Sequence, residues 1–330
     1  MTRVCINGFG RIGRCICKIL FEDYDELEVV QINDPEISIQ NAVYLLKHDS
    51  IYGKFDAEIF CDEKHIIIKN QKNTFKILYT SDQKVCNLNN SNVLVESSNQ
   101  KFSVTKLQSL DFEKIFLTKW LKKADKISIS GIHKNHKSNP KIISCGICDT
   151  AAIVPFLSKF DKNEIECIFI TTLHPFLGYQ NVLDGPPRDV VHTNIPHYQI
   201  GRGSLNAVIP KKSSVQGILE DIFPYFKNKL SFMTYRVPTE VVTTCDINIM
   251  FKPTVTNEKL NQIAKQLDSL WVKEESPLIS RDFNFSKEDF EYDGNWTTIN
   301  GNNLHVTLWY NNELGYSATV CRTIYNEMKI

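Results

Sequence analysis

The sequence lacks long apolar segments and an excess of charge of either sign. No apolar run approaches the roughly 18 residues that a helix needs to cross a bilayer, and no leader pattern precedes the opening MTRVCINGFG. The 38 basic side chains balance 38 acidic ones, so the formal net charge is zero. No overall field therefore draws the chain to nucleic acid or to a membrane surface. We expect a cytoplasmic protein with no nucleic-acid and no membrane partner.

Internal repeats and low-complexity linkers are also missing. The ten cysteines are too scattered over 330 residues to form a disulfide framework. Apolar residues make up 42% and charged residues 23% of the chain, as in ordinary globular proteins, and the length suffices for two domains. These properties exclude a small disulfide scaffold and favour a reducing environment.

The first 34 residues contain a dinucleotide-binding pattern. An apolar strand, TRVCING, leads into G-x-G-x-x-G at Gly8, Gly10 and Gly13, followed by an amphipathic helical stretch and a second strand that ends at Asp34. Gly8 permits a tight turn, Gly10 lets the backbone approach a pyrophosphate, and Gly13 lets helix and strand pack closely. The carboxylate of Asp34 would accept hydrogen bonds from ribose hydroxyls and repel a 2′-phosphate. The pattern predicts NAD as the cofactor.

Further elements follow from periodicity. HIIIKN, FKILYT, SNVLVESS and ADKISISG are predicted strands, and DFEKIFLTKWLKKA (111–124) is a predicted amphipathic helix. Farther along, VVTTCDINIMF is typical of a strand and NEKLNQIAKQLDSLW of a helix. We predict an α/β protein: a Rossmann-type NAD-binding domain, residues 1–147, completed by a C-terminal helix over 313–330, and an α+β catalytic domain, residues 148–312, with a mainly antiparallel sheet.

Cys145 and Cys148 lie three residues apart in IISCGICDTAAIVP, and three interpretations compete. A zinc site needs two further ligands at a second close spacing, which only Cys15 and Cys17 offer, inside a helix. A thioredoxin-like redox pair needs its own small βαβ context. A nucleophilic thiolate is favoured at a helix N-terminus, where the run TAAIVPFLSKF places Cys148. We predict no metal site.

A nucleophilic thiol needs a base. The predicted strand 164–173, in ECIFITTLHPF, delivers His174 at its end. A lone histidine is more often structural than catalytic, so the residues alone leave this assignment open.

Motifs along nearly the whole chain resemble the phosphorylating glyceraldehyde-3-phosphate dehydrogenase family. The matching stretches are INGFGRIGR, INDP, YLLKHDSIYGKF, KIIS, TTLH, LDGP, GRG, RVPT and WYNNELGYS. The resemblance implies that Cys148 attacks an aldehyde and that His174 acts as base. It further implies that a hydride passes to NAD, which leaves a thioester on Cys148, and that phosphate then releases an acyl phosphate. The resemblance places this reaction in glycolysis.

The resemblance also implies binding roles. Asn312 would hold the nicotinamide carboxamide, Arg11 and Ile12 would lie against the pyrophosphate, and Ser130 would line the nicotinamide side. Arg236 would bind a substrate phosphate.

Arg202 would help to bind the incoming phosphate, with Ser213 in place of a family threonine beside Lys211 and Lys212. The family is usually a homotetramer, with a long loop near 180–205 packed against neighbouring cofactor sites.

The chain departs from the family where phosphate binds. The family's S-C-T-T-N becomes Ile147-Cys148-Asp149-Thr150-Ala151 here, and its two threonines after the histidine become Leu177 and Tyr179. An aspartate repels a dianion and opposes formation of a neighbouring thiolate.

Three functions therefore stay open. In the first, the chain oxidises a small, phosphorylated aldehyde. In the second, it oxidises a different aldehyde from the rest of the family, or water replaces phosphate as the acyl acceptor. In the third, it is a non-catalytic regulatory relative that binds NAD.

Overall fold

The computed structural model describes residues 1–82, 91–187, 198–270 and 276–328. Part of the long loop predicted near 180–205, residues 188–197, lies outside this range, as does the last residue of the predicted helix NEKLNQIAKQLDSLW. The chain forms two compact units: residues 1–151 with 313–330, and residues 152–312.

Strands and helices alternate through the first unit. Its strands are β1 (Thr2–Asn7), β2 (Leu27–Asn33), β3 (His48–Asp49), β4 (Gly53–Lys54), β5 (Glu58–Cys61), β6 (His65–Lys69), β7 (Thr74–Thr80), β8 (Val93–Glu96), β9 (Lys114–Leu117), β10 (Lys126–Ile129), β11 (Ile132–Asn135) and β12 (Ile142–Ser144). The helices of the whole described chain are α1 (Arg11–Asp23), α2 (Ile39–Lys47), α3 (Val104–Gln108), α4 (Cys148–Leu157), α5 (Val215–Ile222), α6 (Asn257–Leu270) and α7 (Leu314–Met328).

A ten-stranded sheet forms the first unit, in the order β11-β10-β12-β9-β8-β1-β2-β7-β6-β5. The strands from β10 to β7 are parallel, and β11, β6 and β5 add antiparallel pairs at the two edges. Every residue of β8 and β12 is buried, which is typical of parallel strands covered on both faces. The predicted strands HIIIKN, FKILYT, SNVLVESS and ADKISISG correspond to β6, β7, β8 and β10.

The helix predicted over 111–124 is wrong. Residues 114–117 form β9, which pairs with β8 on one side and β12 on the other. Ile115, Phe116 and Leu117 are consecutive and all buried, as a strand covered on both faces requires. Leu121 and Ala124 pack against the same core from the following turns, and their spacing imitates a helical stripe.

The second unit contains a six-stranded sheet. Its strands are β13 (Ile165–Pro175), β14 (Ile209–Lys211), β15 (Leu230–Val237), β16 (Thr243–Phe251), β17 (Glu291–Asn300) and β18 (Asn303–Tyr310). Their order is β14-β15-β13-β16-β18-β17, and only the β13–β15 pair is parallel. The predicted fold class, a Rossmann-type α/β domain plus an α+β domain with a mainly antiparallel sheet, is confirmed.

Two predicted strands of the second unit occur close to their expected bounds. VVTTCDINIMF corresponds to β16, in which buried and partly exposed residues alternate. The strand predicted over 164–173 corresponds to β13, which continues through Pro175, so that His174 lies within the strand. None of the helices in the described ranges combines the length and apolarity needed to cross a bilayer.

Candidate functional site

Cys148 is the first residue of α4, and its side chain is partly exposed. The turn before it needs a glycine, because Gly146 has a φ of +71° and a Cβ there would lie 2.5 Å from Thr150 Oγ1. That hydroxyl accepts the N–H of Ile147 at 2.9 Å and donates to the Ile147 carbonyl at 2.8 Å. The Tyr316 hydroxyl donates to the Gly146 carbonyl at 2.9 Å. The backbone around the thiol is thus fixed on both sides.

Cys145 has the opposite environment. It is fully buried in the core of the first unit, and burial, followed by the nearby charge of Glu327, raises the pKa of its thiol well above the ordinary value. A buried neutral thiol of this kind is inert. All the cysteines in the described ranges are free thiols. Cys148 is therefore the accessible member of the C-x-x-C pair, and Cys145 serves packing.

Asp149 contacts the Cys148 thiol directly. Its Oδ2 accepts a hydrogen bond from Cys148 Sγ at 3.7 Å, and the residue is buried. A carboxylate so close favours the thiol over the thiolate, whereas the positive end of the helix dipole favours the thiolate. The two effects oppose each other at one sulfur atom.

Replacing Asp149 by asparagine should make the Cys148 thiol more reactive. The amide keeps the shape of the side chain and removes a negative charge 3.7 Å from Sγ, so we expect alkylation by iodoacetamide near neutral pH to accelerate about tenfold. The pH midpoint of the reaction should move to lower pH. The matched control is Asp161→Asn, an exposed acid beyond α4. A variant that reacts no faster than the wild type would show that Asp149 does not restrain the thiol.

The glycine turn at the start of α1 fits a dinucleotide. Gly8 has a φ of +93°, and a Cβ there would lie 2.5 Å from the backbone nitrogen of Ser98, while a Cβ at Gly13 would lie 2.2 Å from the Gly8 carbonyl. At Gly10 a Cβ would meet no atom within 4 Å, which leaves open space beside the backbone. The first helical hydrogen bond runs from Arg14 N to Gly10 O, so the preceding N–H groups of α1 remain available to an anion.

Asp34 follows β2 and is buried. Its Oδ2 accepts the N–H of Phe9 at 2.6 Å, and its Oδ1 accepts the N–H of Glu36 at 2.9 Å. A carboxylate offers about four lone-pair sites, so these two bonds orient the group and leave capacity for ribose hydroxyls. That contact stays a prediction.

Arg11 has protein partners for its guanidinium. It binds Glu313 through Nε and Nη2, the latter at 2.6 Å, and Asp49 through Nη1 at 2.7 Å. Although burial lowers the pKa of Arg11, the hydrogen bonds and charges of Glu313 and Asp49 outweigh it and raise the pKa. Tyr52 donates to the same Glu313 carboxylate at 3.2 Å. These side chains occupy the guanidinium of Arg11 within the first unit, and the contact of Arg11 and Ile12 with a pyrophosphate stays a prediction.

Ser130 and Asn312 are each held by one hydrogen bond to backbone. Ser130 has a φ of +46° and donates to the Ala151 carbonyl at 2.9 Å. The Oδ1 of Asn312 accepts the N–H of Val242 at 3.1 Å, which fixes the orientation of the amide. Their contacts to nicotinamide stay predictions.

In the second unit, His174 and Arg236 lie directly opposite each other on the parallel strands β13 and β15. His174 is 2% exposed and its Nδ1 lies 2.8 Å from the Pro175 carbonyl. An acceptor at that distance favours the tautomer with the proton on Nδ1 and a basic Nε2. Arg236 is 9% exposed, and its Nε and Nη1 have no hydrogen-bond partner among the described residues. A buried guanidinium with unused hydrogen-bond donors is typical of an anion-binding site.

The other predicted phosphate ligands lie in exposed positions. The side chain of Arg202 is 74% exposed, with its Nε 3.8 Å from Asp184 Oδ2. Ser213 is exposed and its Oγ accepts the N–H of Val215 at the start of α5. Leu177, which stands where the family has a threonine, has no side-chain hydroxyl to offer a phosphate, and its backbone N–H donates to Gln180 Oε1 at 3.0 Å.

Several residues that shape the site were not predicted from the sequence as functional. Asp49, Tyr52, Glu313 and Tyr316 lie within the stretches YLLKHDSIYGKF and WYNNELGYS. Both stretches belong to the family resemblance, but no spacing rule indicated that Arg11 contacts Asp49 and Glu313. The candidate nucleophile belongs to the first unit and the candidate base to the second, so their pairing stays a prediction.

Comparison with known proteins gives matches over both units. Residues 2–102 match the family model "Glyceraldehyde 3-phosphate dehydrogenase, NAD binding domain", and residues 147–312 match "Glyceraldehyde 3-phosphate dehydrogenase, C-terminal domain". Similar curated proteins include the glyceraldehyde-3-phosphate dehydrogenases of Bacteroides fragilis and Geobacillus stearothermophilus, each 28% identical, and glyceraldehyde-3-phosphate dehydrogenase 3 of Saccharomyces cerevisiae, 27% identical. The similarity to each covers 97% of this chain, and 97%, 96% and 97% of the respective relatives.

Proposed function

Because the chain belongs to the glyceraldehyde-3-phosphate dehydrogenase family, we propose that it oxidises a small phosphorylated aldehyde through a thioester on Cys148. Family membership makes the chain an oxidoreductase of the glyceraldehyde-3-phosphate dehydrogenase type with NAD as its cofactor. The aldehyde, the acyl acceptor and the residue roles are the proposal. We assign NAD binding to residues 1–147 with helix 313–330, and catalysis to residues 148–312.

NAD, when bound, supplies the hydride acceptor for the oxidation. The residues that would hold it are the turn from Gly8 to Gly13, with the N–H groups of Arg11 and Ile12 toward the pyrophosphate, and Asp34 toward the ribose. Ser130 and Asn312 would bind on the nicotinamide side.

A substitution at Gly10 separates cofactor binding from folding. In Gly10→Ala the new methyl group meets no protein atom within 4 Å, so we expect the melting temperature to change by only a few degrees, while NAD binding measured by calorimetry weakens about tenfold or more. Gly8→Ala is the contrasting variant. Its strained φ and a 2.5 Å contact should cost about 1–3 kcal/mol of folding free energy. Unchanged NAD affinity in Gly10→Ala would argue against a pyrophosphate at this turn.

The chemistry assigned to the protein begins at Cys148. Its thiolate adds to the aldehyde carbon, and the carbonyl oxygen takes up a proton to form a hemithioacetal. His174 Nε2 then accepts the proton of this hydroxyl as the carbon gives up a hydride, for which bound NAD would be the acceptor. The product is a thioester on Sγ. Inorganic phosphate then attacks the thioester carbon, which releases an acyl phosphate and regenerates the thiolate. The unused donors of Arg236 would bind the phosphate of the substrate.

The observation that carries this proposal is the position of Cys148, a partly exposed thiol at the first residue of α4. Its test is NADH formation with glyceraldehyde 3-phosphate and with unphosphorylated glyceraldehyde, each with and without inorganic phosphate. We expect turnover that prefers the phosphorylated aldehyde and depends on phosphate. Turnover without phosphate would instead indicate water as acyl acceptor, and a preference for another aldehyde would indicate a changed substrate.

One observation favours a non-catalytic relative that binds NAD. Asp149 Oδ2 accepts a hydrogen bond from the Cys148 thiol at 3.7 Å, which opposes the reactive form of the sulfur. NAD binding without NADH formation from any aldehyde would support this second function and contradict the first.

We also propose that the protein is a cytoplasmic homotetramer. The sheet of the second unit exposes large apolar side chains on one face, with Phe169 52%, Leu173 40% and Met233 36% exposed. These residues lie on the adjacent strands β13 and β15, and such patches are typical of interfaces between subunits. A second copy of the chain is the expected partner. Light scattering should give a mass near four chains, and a monomer would refute the proposal.

A further inference from the structure

One face of the second unit's sheet carries a second cation besides Arg236. Lys211 on β14 lies opposite Thr234 on β15, two residues before Arg236, which in turn lies opposite His174 on β13. Residues that pair directly, and residues two apart on one strand, share a face. Lys211, Arg236 and His174 therefore share one face, and Lys211 is diagonal to Arg236 at a Cα distance of about 7–8 Å.

Tyr179 fixes the position of the Lys211 ammonium group. Lys211 Nζ donates to the Tyr179 hydroxyl at 2.7 Å and lies 4.9 Å from the centre of the same ring. A hydrogen bond and a cation–π contact together hold a side chain that otherwise samples many rotamers. The ammonium is thus positioned on the His174 face of the sheet.

Unused hydrogen-bond donors lie in the same part of the second unit. Arg236 is nine-tenths buried and has two nitrogens without a partner among the described residues. Gln180, next to Tyr179 in the chain, is 7% exposed and its Nε2 likewise has no partner in the described part of the chain. Buried donors in native proteins are nearly always satisfied, so these atoms indicate a ligand that accepts hydrogen bonds.

Charge leads to the same conclusion. Two cationic side chains at diagonal positions on neighbouring strands are within reach of each other and repel. An anion between them removes the repulsion and satisfies the donors of Arg236. Tyr179 stands where the family has a threonine, and its hydroxyl holds the Lys211 ammonium group, so this chain offers a positioned cation on the same face as Arg236.

We propose that Lys211, positioned by Tyr179, binds the anionic group of the aldehyde substrate together with Arg236 and so determines substrate specificity. The inference rests on the function proposed above, and it adds that the aldehyde substrate carries an anionic group. The group is a phosphate or a carboxylate, which share the negative charge and the acceptor oxygens that this pair recognises.

The kinetic test compares Lys211→Met with Lys212→Met. Both variants lose one positive charge, but Lys212 lies just beyond the end of β14 and is exposed. We expect Lys211→Met to raise KM for glyceraldehyde 3-phosphate about tenfold or more. Both kcat and the KM for unphosphorylated glyceraldehyde should stay nearly unchanged.

Two further variants refine the test. Lys211→Arg should restore part of the affinity, and Tyr179→Phe, which removes only the hydroxyl, should raise KM for glyceraldehyde 3-phosphate about threefold. A Lys211→Met enzyme with the wild-type KM for glyceraldehyde 3-phosphate would overturn the assignment.

A binding measurement separates failure of this inference from failure of the proposed function. Glycerol 3-phosphate carries the phosphate but no aldehyde, so calorimetry on the NAD-loaded protein tests the anion site without turnover. We expect binding to the wild type and to Lys212→Met, weakened about tenfold in Lys211→Met. An aldehyde of similar length that ends in a carboxylate, used in parallel, identifies the anionic group. Equal binding by both lysine variants, or none by the wild type, overturns the inference, whereas oxidation of uncharged aldehydes would leave the oxidoreductase function intact.

Discussion

Replacing Cys148 by serine is expected to lower the rate of aldehyde oxidation by about 10⁴-fold. A serine hydroxyl in the same position is un-ionised near neutral pH, so the nucleophile that forms the thioester is lost. NAD binding should be unchanged, because the glycine turn and Asp34 lie on other elements of the first unit. NADH formation under saturating substrate, together with NAD affinity from calorimetry, measures both effects.

Cys145→Ala is the matched control for this variant. Cys145 is fully buried and packs in the core of the first unit, so the substitution should leave the rate within a few-fold of wild type and cost about 1–2 kcal/mol of folding free energy. Wild-type turnover in Cys148→Ser would show that Cys148 is not the nucleophile. A Cys145→Ala protein that folds normally but has no turnover would show that Cys145 takes part in the chemistry.

Replacing His174 by asparagine should reduce kcat by about 10²- to 10⁴-fold, the usual contribution of a general base. The amide can still accept and donate hydrogen bonds, but it cannot take a proton. The rise of the rate with pH that reflects deprotonation of a base should therefore vanish in the variant. Rates measured across the pH range for both proteins give this comparison.

His305→Asn serves as the control for the histidine. His305 lies on β18 of the same unit, with its Nε2 3.5 Å from Asp246 Oδ1, and we assign it no catalytic role. Its variant should keep both the rate and the pH profile of the wild type. If His174→Asn retained the full pH dependence, another group would have to be the base.

The sequence was sufficient where a local pattern and the tertiary environment agree. The turn around Gly8 and Gly13 follows from backbone space alone, and β16 shows the alternation of a half-buried strand. It was insufficient at 111–124, because a strand buried on both faces has no period of two. Ile115, Phe116 and Leu117 then combine with Leu121 and Ala124 into an apparent helical stripe.

The candidate site was predictable to a similar extent. The helix start placed Cys148 correctly, and burial then distinguished it from Cys145, which spacing alone could not do. The partners of Arg11 were not predictable, because Asp49 and Glu313 are distant from it in sequence and meet it only in the fold. The contact of Lys211 with Tyr179 similarly depends on how β14 pairs with β15.

The most direct test of the thioester is a single turnover without an acyl acceptor. The protein is mixed with NAD and glyceraldehyde 3-phosphate in phosphate-free buffer, quenched in acid and digested for mass spectrometry. We predict a burst of about one NADH per chain and an acyl group on the peptide that contains Cys148, released when phosphate is added before the quench. NADH formation with no acyl group on any cysteine, or an acyl group on a residue other than Cys148, would contradict the account.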